Sequence, residues 1–214
     1  MSEELGRYAL LADRIRSGIR DSTLPFLVAI SGPPASGKST ISRRLVEDMS
    51  RAGHASCYCP MDGFHLTNRQ LRDRQLHPFK GRIDTFDSQA FSAAVAHLAL
   101  RKAFWWPDYS RQFHEPIAEG TRIEGNESLH VIEGNYILDR AEPWRSVAAA
   151  FDLRIFVDAP TETLEHRLRD RHMKSELDEF EVRRKIDVVD LPNAARIRQG
   201  LGEIDIMYRD QAIS

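Results

Sequence analysis

Cysteine is scarce in this 214-residue sequence, with Cys57 and Cys59 the only two. Two thiols cannot build a disulfide scaffold, and a bridge between residues two apart in one strand is geometrically disfavoured. Two are also too few for a structural zinc site. They read as small buried apolar side chains of a reducing compartment. Charge of one sign is lacking too: the formal net charge is -2 and the pI is near 6.5. That excludes a generally basic nucleic-acid surface. No apolar run approaches the length of a membrane span, and the polar start Met1-Ser2-Glu3-Glu4 lacks the basic and apolar regions of a signal peptide. Internal repeats, low-complexity tracts and clear linkers are missing as well. The expectation is one cytoplasmic domain over residues 1–214 that engages neither membrane nor nucleic acid, with a homodimer left open.

What is present is a complete G-x-x-x-x-G-K-[ST] loop, Gly32-Pro33-Pro34-Ala35-Ser36-Gly37-Lys38-Ser39, followed by Thr40. Before it, residues 26–31 form a short apolar run of strand formers. After it, Ile41, Leu45 and Met49 recur at the spacing of one helix face. Strand, glycine turn and helix are the context in which this motif holds phosphate. Loop N–H groups and the positive helix end converge on one spot. Lys38 reaches the β and γ phosphates there, and the Ser39 hydroxyl meets Mg²⁺. Residues 32–40 are therefore the predicted ATP site.

The remaining pattern alternates strands and helices. Helices are expected over 4–20, with Leu10, Leu11, Ile15 and Ile19 on one side, from Ser88 or Asp87 through Arg101, over 160–173 and over 176–189. Strands are expected over 55–61, 129–133, 153–158 and within 203–208. Residues 63–87 read as an irregular excursion with one short helix. Pro107, Pro116, Gly120 and Gly125 break any long element in 103–127. This order predicts an α/β fold, a mostly parallel sheet with helices on both faces, and ligands outside the carboxyl ends of the strands.

The strand ends then supply the chemistry. They carry Ser31, Asp62, Glu133 and Asp158. Asp62, directly after its strand, can orient an acceptor hydroxyl and take its proton, although an aspartate before Gly63 also suits an ordinary turn. Glu133 can hold Mg²⁺ through water or support the attacking group; it could equally be a salt-bridged carboxylate. Arg167 and Arg171 share a helix face at i, i+4 and suit the charge that spreads over transferring phosphate oxygens. They form a helical lid over about 165–185.

Seven motifs occur in order: the P-loop, Met61-Asp-Gly-Phe-His-Leu-Thr67, Lys80-Gly-Arg-Ile-Asp-Thr-Phe-Asp87, Pro107-Asp-Tyr-Ser-Arg111, Val131-Ile-Glu-Gly-Asn-Tyr136, the arginine lid and Asp190-Leu-Pro-Asn193. Together they resemble the phosphoribulokinase/uridine kinase family of P-loop kinases, closest to its bacterial branch called pantothenate kinase-like or fructose-transport-system kinase. The resemblance covers about residues 24–200. It implies a three-layer α/β/α P-loop NTPase fold with a helical lid. It also implies MgATP-dependent phosphorylation of a hydroxyl on a small metabolite, Asp62 as base and Glu133 near the metal.

Pro107-Asp-Tyr109 and His114 echo the tyrosine and histidine that hold the nucleoside in uridine kinases. Arg111 lacks a secure counterpart, yet a cation there suits an acidic or phosphorylated acceptor. Arg82 lies in a loop that departs from the uridine kinase pattern, which argues against uridine. His65 and Asn68 are candidates for the acceptor pocket, and Asp190 and Asn193 for the neighbourhood of the adenine, Asn193 being equally suited to capping a helix. Phe104, Trp105 and Trp106 read as core. A GTPase-like switch is the main rival, but neither an Asn-Lys-x-Asp tetrad nor an Asp-x-x-Gly element is found. A nucleotide-binding regulatory protein without kinase activity is the other.

Overall fold

The computed structural model describes residues 2–174 and 178–209. Seven strands and eight α-helices are found among them. The central sheet is five-stranded and wholly parallel, in the order β2(Ser56–Pro60)-β5(Leu129–Gly134)-β1(Phe26–Ser31)-β6(Leu153–Asp158)-β7(Ile206–Arg209). Its interior strands read as continuous apolar runs because helices cover both faces. Val28, Ile30, Val131, Ile155 and Val157 point to one face, where they meet Leu11, Ile15, Leu45 and Met49 of α1(Ser2–Asp21) and α2(Lys38–Arg51). The opposite face carries Cys57, Cys59, Ala29, Ile132 and Phe156, packed on Phe91, Val95 and Leu98 of α4(Ser88–Leu98) and on Trp144 and Val147 of α5(Trp144–Ala148). The expected three-layer α/β architecture is thus observed. No helix among the described residues is long and apolar enough to cross a membrane.

Several local expectations differ from what is observed. Leu10 is 71% exposed, and Tyr8 and Ala12 take its place on the buried side of α1. Asp87 caps α4 by accepting from the Ala90 N–H, but the helix stops at Leu98 rather than Arg101. Residues 103–127, expected to be broken, instead form an antiparallel hairpin of β3(Phe104–Ser110) and β4(Glu115–Ile123). Its register shifts between Trp106 and Asp108, at Pro107. A two-stranded hairpin leaves each strand an open edge, and an irregularity there accommodates a proline without losing a ladder bond. Of the aromatic trio, only Trp106 is fully buried, donating its indole N–H to the Pro60 carbonyl at 2.9 Å. Trp105 is exposed.

The excursion after β2 contains the short helix α3(Asn68–Asp73), closed at its start by a Thr67–Gln70 capping box. Beyond β6 come α6(Thr161–His172) and α7(Glu179–Lys185), whose start is fixed by an Asp178–Glu181 capping box. Residues 176 and 177 of the expected 176–189 helix lie outside the described residues. A π turn, Ile186–Asp190, then leads into α8(Leu191–Gly200), an element absent from the sequence reading.

Candidate active site

Strand order positions the site. β5 lies between β1 and β2, and Glu133 pairs in register with Ile30 on one side and Pro60 on the other. The carboxyl ends of the three strands therefore bring the loop after β1, Glu133 and the turn after β2 to one edge of the sheet. Gly37 enters α2 with φ of 96°, a left-handed conformation that favours glycine, and Ala35 also has positive φ. Turns with residues in this left-handed conformation are the kind whose successive N–H groups form anion-binding concavities.

Inside this nest, Lys38 is almost fully buried. Its ammonium donates to the Pro33 carbonyl at 3.2 Å and stands 3.6 Å from a Glu133 oxygen. Burial pulls its pKa down, while Glu133 and Asp62 oppose that shift and Arg171 adds to it. The lysine thus feels two carboxylates, Glu133 being in contact, and the Arg171 guanidinium. The Ser36 hydroxyl is fully buried and has no hydrogen-bond partner. An orphaned donor beside a desolvated ammonium fits a phosphate oxygen. The Ser39 hydroxyl donates to Glu133 at 3.1 Å, and the Tyr58 hydroxyl donates to the same carboxylate oxygen at 2.7 Å. Burial and the adjacent Glu133 charge both raise the Tyr58 pKa, so it stays a protonated donor. One hydroxyl and one carboxylate, both hard oxygen ligands, fit Mg²⁺.

Arg167 donates to the Ala35 carbonyl at 3.3 Å. With Arg171 it lines a cavity of about 430 Å³ shared with Ala35, Gly37, Lys38, Ser39 and Thr40. Tyr8, Arg44 and Tyr208 complete that cavity, and the sequence reading did not include them. Arg44 lies 3.8 Å over the Tyr8 ring, whose hydroxyl donates to Asp48 at 2.6 Å. These residues come from three distant segments, so no motif announces them.

The acceptor side begins at Asp62, on a 3₁₀ turn Met61–Phe64. Asp62 is exposed, yet it is close enough to influence Lys38, Tyr58, His65 and Tyr109 electrostatically. A side chain at Gly63 would collide with the Pro107 carbonyl, so only glycine lets this turn rest on β3. His65 bonds the Asp62 carbonyl through Nδ1 at 2.8 Å and stacks on Phe86 and Tyr109, at 4.0 and 4.9 Å between ring centres. Burial lowers its pKa. The Tyr109 hydroxyl is pushed up to about 12, by burial first and then by Asp62 and Glu115. Lys80 lies 5.2 Å from the Tyr109 ring and donates to the Asn68 side chain and the His114 carbonyl at 2.7 and 2.6 Å.

The other predicted residues are scattered. His114, at the hairpin bend, lines a second cavity of about 400 Å³ with Asn68, His77, Lys80 and Lys185. Arg111 is exposed beside Tyr109. Arg82 pairs with Asp84 at 2.7 Å and covers Phe79. Asn193 is not among the residues lining the P-loop cavity; its amide donates to the Gly81 carbonyl at 3.3 Å. Asp190 is buried against His172 at 2.7 Å. The strand-end Asp158 accepts from the Nε and Nη2 groups of Arg198 and so ties α8 to β6.

A protein family described as an AAA domain matches residues 28–188. The chain belongs to that family. Among relatives of this AAA-domain protein, the uncharacterized protein YggC of Escherichia coli K12 is 31% identical over 173 residues, 80% of this chain and 72% of YggC. The pantothenate kinase of Streptomyces coelicolor is 28% identical over 191 residues, and the match covers 81% of this chain but 58% of that enzyme's length. A solved structure described as a "putative fructose transport system kinase" from Silicibacter sp. TM1040 superposes with a TM-score of 0.89 at 33% identity, over 94% of this chain and 98% of that one. The kinship with P-loop kinases read from the seven ordered motifs is shown by these matches.

Proposed function

We propose that this protein transfers the γ-phosphoryl group of ATP to a hydroxyl of a small, acidic metabolite. The observation that carries the reading is Glu133, held in one register between the nest residues Lys38 and Ser39 and the turn bearing Asp62. The triphosphate rests on residues 32–40, with Lys38 and the unpartnered Ser36 hydroxyl toward its oxygens. Ser39 and Glu133 would hold Mg²⁺, which neutralises phosphate charge when bound. The acceptor hydroxyl donates to Asp62, which takes its proton as the new phosphorus–oxygen bond forms and the bond to the β-phosphate oxygen breaks. Arg167 and Arg171, on the lid helix, stabilise the charge spreading over the equatorial oxygens and exclude water that would otherwise take the phosphoryl group.

An acidic acceptor is supported by the side of the site beyond Tyr109. Lys80, Lys185, His77 and His114 surround the second cavity there, and Arg111 acts electrostatically on Tyr109. The pantothenate kinase relative acts on a molecule named as pantothenate; a hydroxyl-bearing carboxylic or phosphorylated metabolite is proposed here as the class. The test is ATP consumption over a panel of such metabolites, uncharged analogues included, with Asp62→Asn as the blank. Consumption that depends on an acidic acceptor and falls away in the blank supports the reading. Equal consumption without acceptor, or with uncharged analogues, would overturn it.

A further inference from the structure

Cys57 and Cys59 pack in the core as the sequence led one to expect, and a polar side chain shares their face. Residue 57 pairs with residue 130 across the β2–β5 ladder, and the period of two in a strand brings residue 59 to the same face. One ligand atom each from Cys57, Cys59 and His130 lie within 4.8 Å of one another, and all three side chains are buried. His130 Nδ1 has no hydrogen-bond partner although only 1% of the residue is exposed. A buried ring nitrogen without a partner is unfavourable, and Phe91, Val95 and Leu98 pack in the same core cluster as the two cysteines.

We propose that Cys57, Cys59 and His130 form a binding site for a soft divalent cation of the zinc class. Two sulfurs and an imidazole nitrogen are the donors such ions favour over magnesium. On binding, both thiols release their protons to solvent as two metal–sulfur bonds form, and His130 contributes a neutral nitrogen lone pair. Two thiolates then cancel the charge of the ion, and the complex is neutral within its apolar surroundings. A metal–sulfur length of about 2.3 Å in tetrahedral geometry requires the sulfurs about 3.8 Å apart, within reach of small side-chain rotations.

The surroundings agree with this assignment. Glu127 is buried, accepts the N–H groups of Glu124 and Gly125 at 2.8 and 2.9 Å, and acts electrostatically on His130 and both cysteines. A negative charge held near the three donors favours a bound cation. The site is separate from the nest. It staples edge strand β2 to β5 three residues before Asp62 and three residues before Glu133, which fixes the spacing of the two carboxylates without touching substrate.

The untagged full chain, purified under a phosphine reductant with saturating Mg²⁺, is titrated with Cd²⁺ while the thiolate-to-metal charge-transfer absorption is followed. No other cysteine exists in the sequence, so that absorption reports this site alone. Expected is saturation at about one equivalent, loss of the band in Cys57→Ser and Cys59→Ser, and affinity weakened about 10–100-fold in Glu127→Gln. Zn²⁺ should compete for the band and raise the Tm of the wild-type protein. A folded wild-type protein that gives no saturable band, even after refolding with Cd²⁺ and with both thiols titratable once denatured, overturns the proposal. So does zinc retained at the same stoichiometry by Cys59→Ser. If the serine variants fail to fold, the wild-type titration decides.

Discussion

The two walls of the cleft are built in opposite ways. The proposed phosphate wall comes from nine consecutive residues, 32–40, together with one carboxylate on the neighbouring strand. The proposed acceptor wall is assembled from the turn at 61–65, Lys80, the hairpin residues Tyr109 and His114, and Lys185 of α7. A phosphate nest can be encoded locally because its shape depends on backbone conformation. A pocket that must distinguish metabolites depends on side chains delivered by separate elements, each free to vary.

The comparison breaks most sharply at Asp62. If the acceptor wall supplies the base, Asp62→Asn should cut turnover by about 10²–10⁴-fold and leave ATP affinity nearly intact; steady-state kinetics with nucleotide-binding calorimetry separate the two, and full turnover in the variant would return that role to the phosphate wall. Lys38→Ala should lower kcat by about 10²–10³-fold, the scale for losing a preorganised charge partner, and weaken nucleotide binding too. Tyr58→Phe leaves one Glu133 oxygen short of a donor and should lower stability by about 2 kcal/mol in denaturant unfolding, with unchanged stability showing the bond to be dispensable. Lys80→Met should raise the KM for the acceptor about tenfold with the KM for ATP unmoved, as expected when one charge contact to substrate is lost.

The smallest effect concerns pH. Burial holds the His65 pKa below its usual 6.5, so the unfolded chain binds a proton there more readily than the folded one. Stability from this residue is present above about pH 6.5 and is lost as pH falls through the lowered folded value. Wild type should therefore lose more Tm than His65→Phe between pH 7.5 and pH 5.5. Parallel curves would remove His65 as the source.

Legibility in the sequence follows the same division. The nest, β5, β6 and the carboxylates at the strand ends are visible because each rests on short-range pattern. The hairpin was hidden by Pro107 and Pro116, which signal breaks unless one knows that each strand has a free edge. Helix α8 was hidden by Pro192 near its start, a position where proline is well tolerated. Tyr8, Arg44 and Tyr208 meet only through tertiary packing. His130 completes the cysteine pair across strands that are seventy residues apart in sequence, and spacing alone cannot reveal a partner chosen by sheet order.

The π turn at Ile186–Asp190 has a mechanical corollary. Deleting one residue there would regularise the helical run and rotate everything beyond it by about 100°. Asn193 would swing off the Gly81 carbonyl and Arg198 off Asp158, contacts that now anchor α8 near its start and near its end. The number of residues between Asp178 and Gly200 is therefore counted by the fold like teeth on a gear. Length changes that a surface loop would absorb should jam this segment.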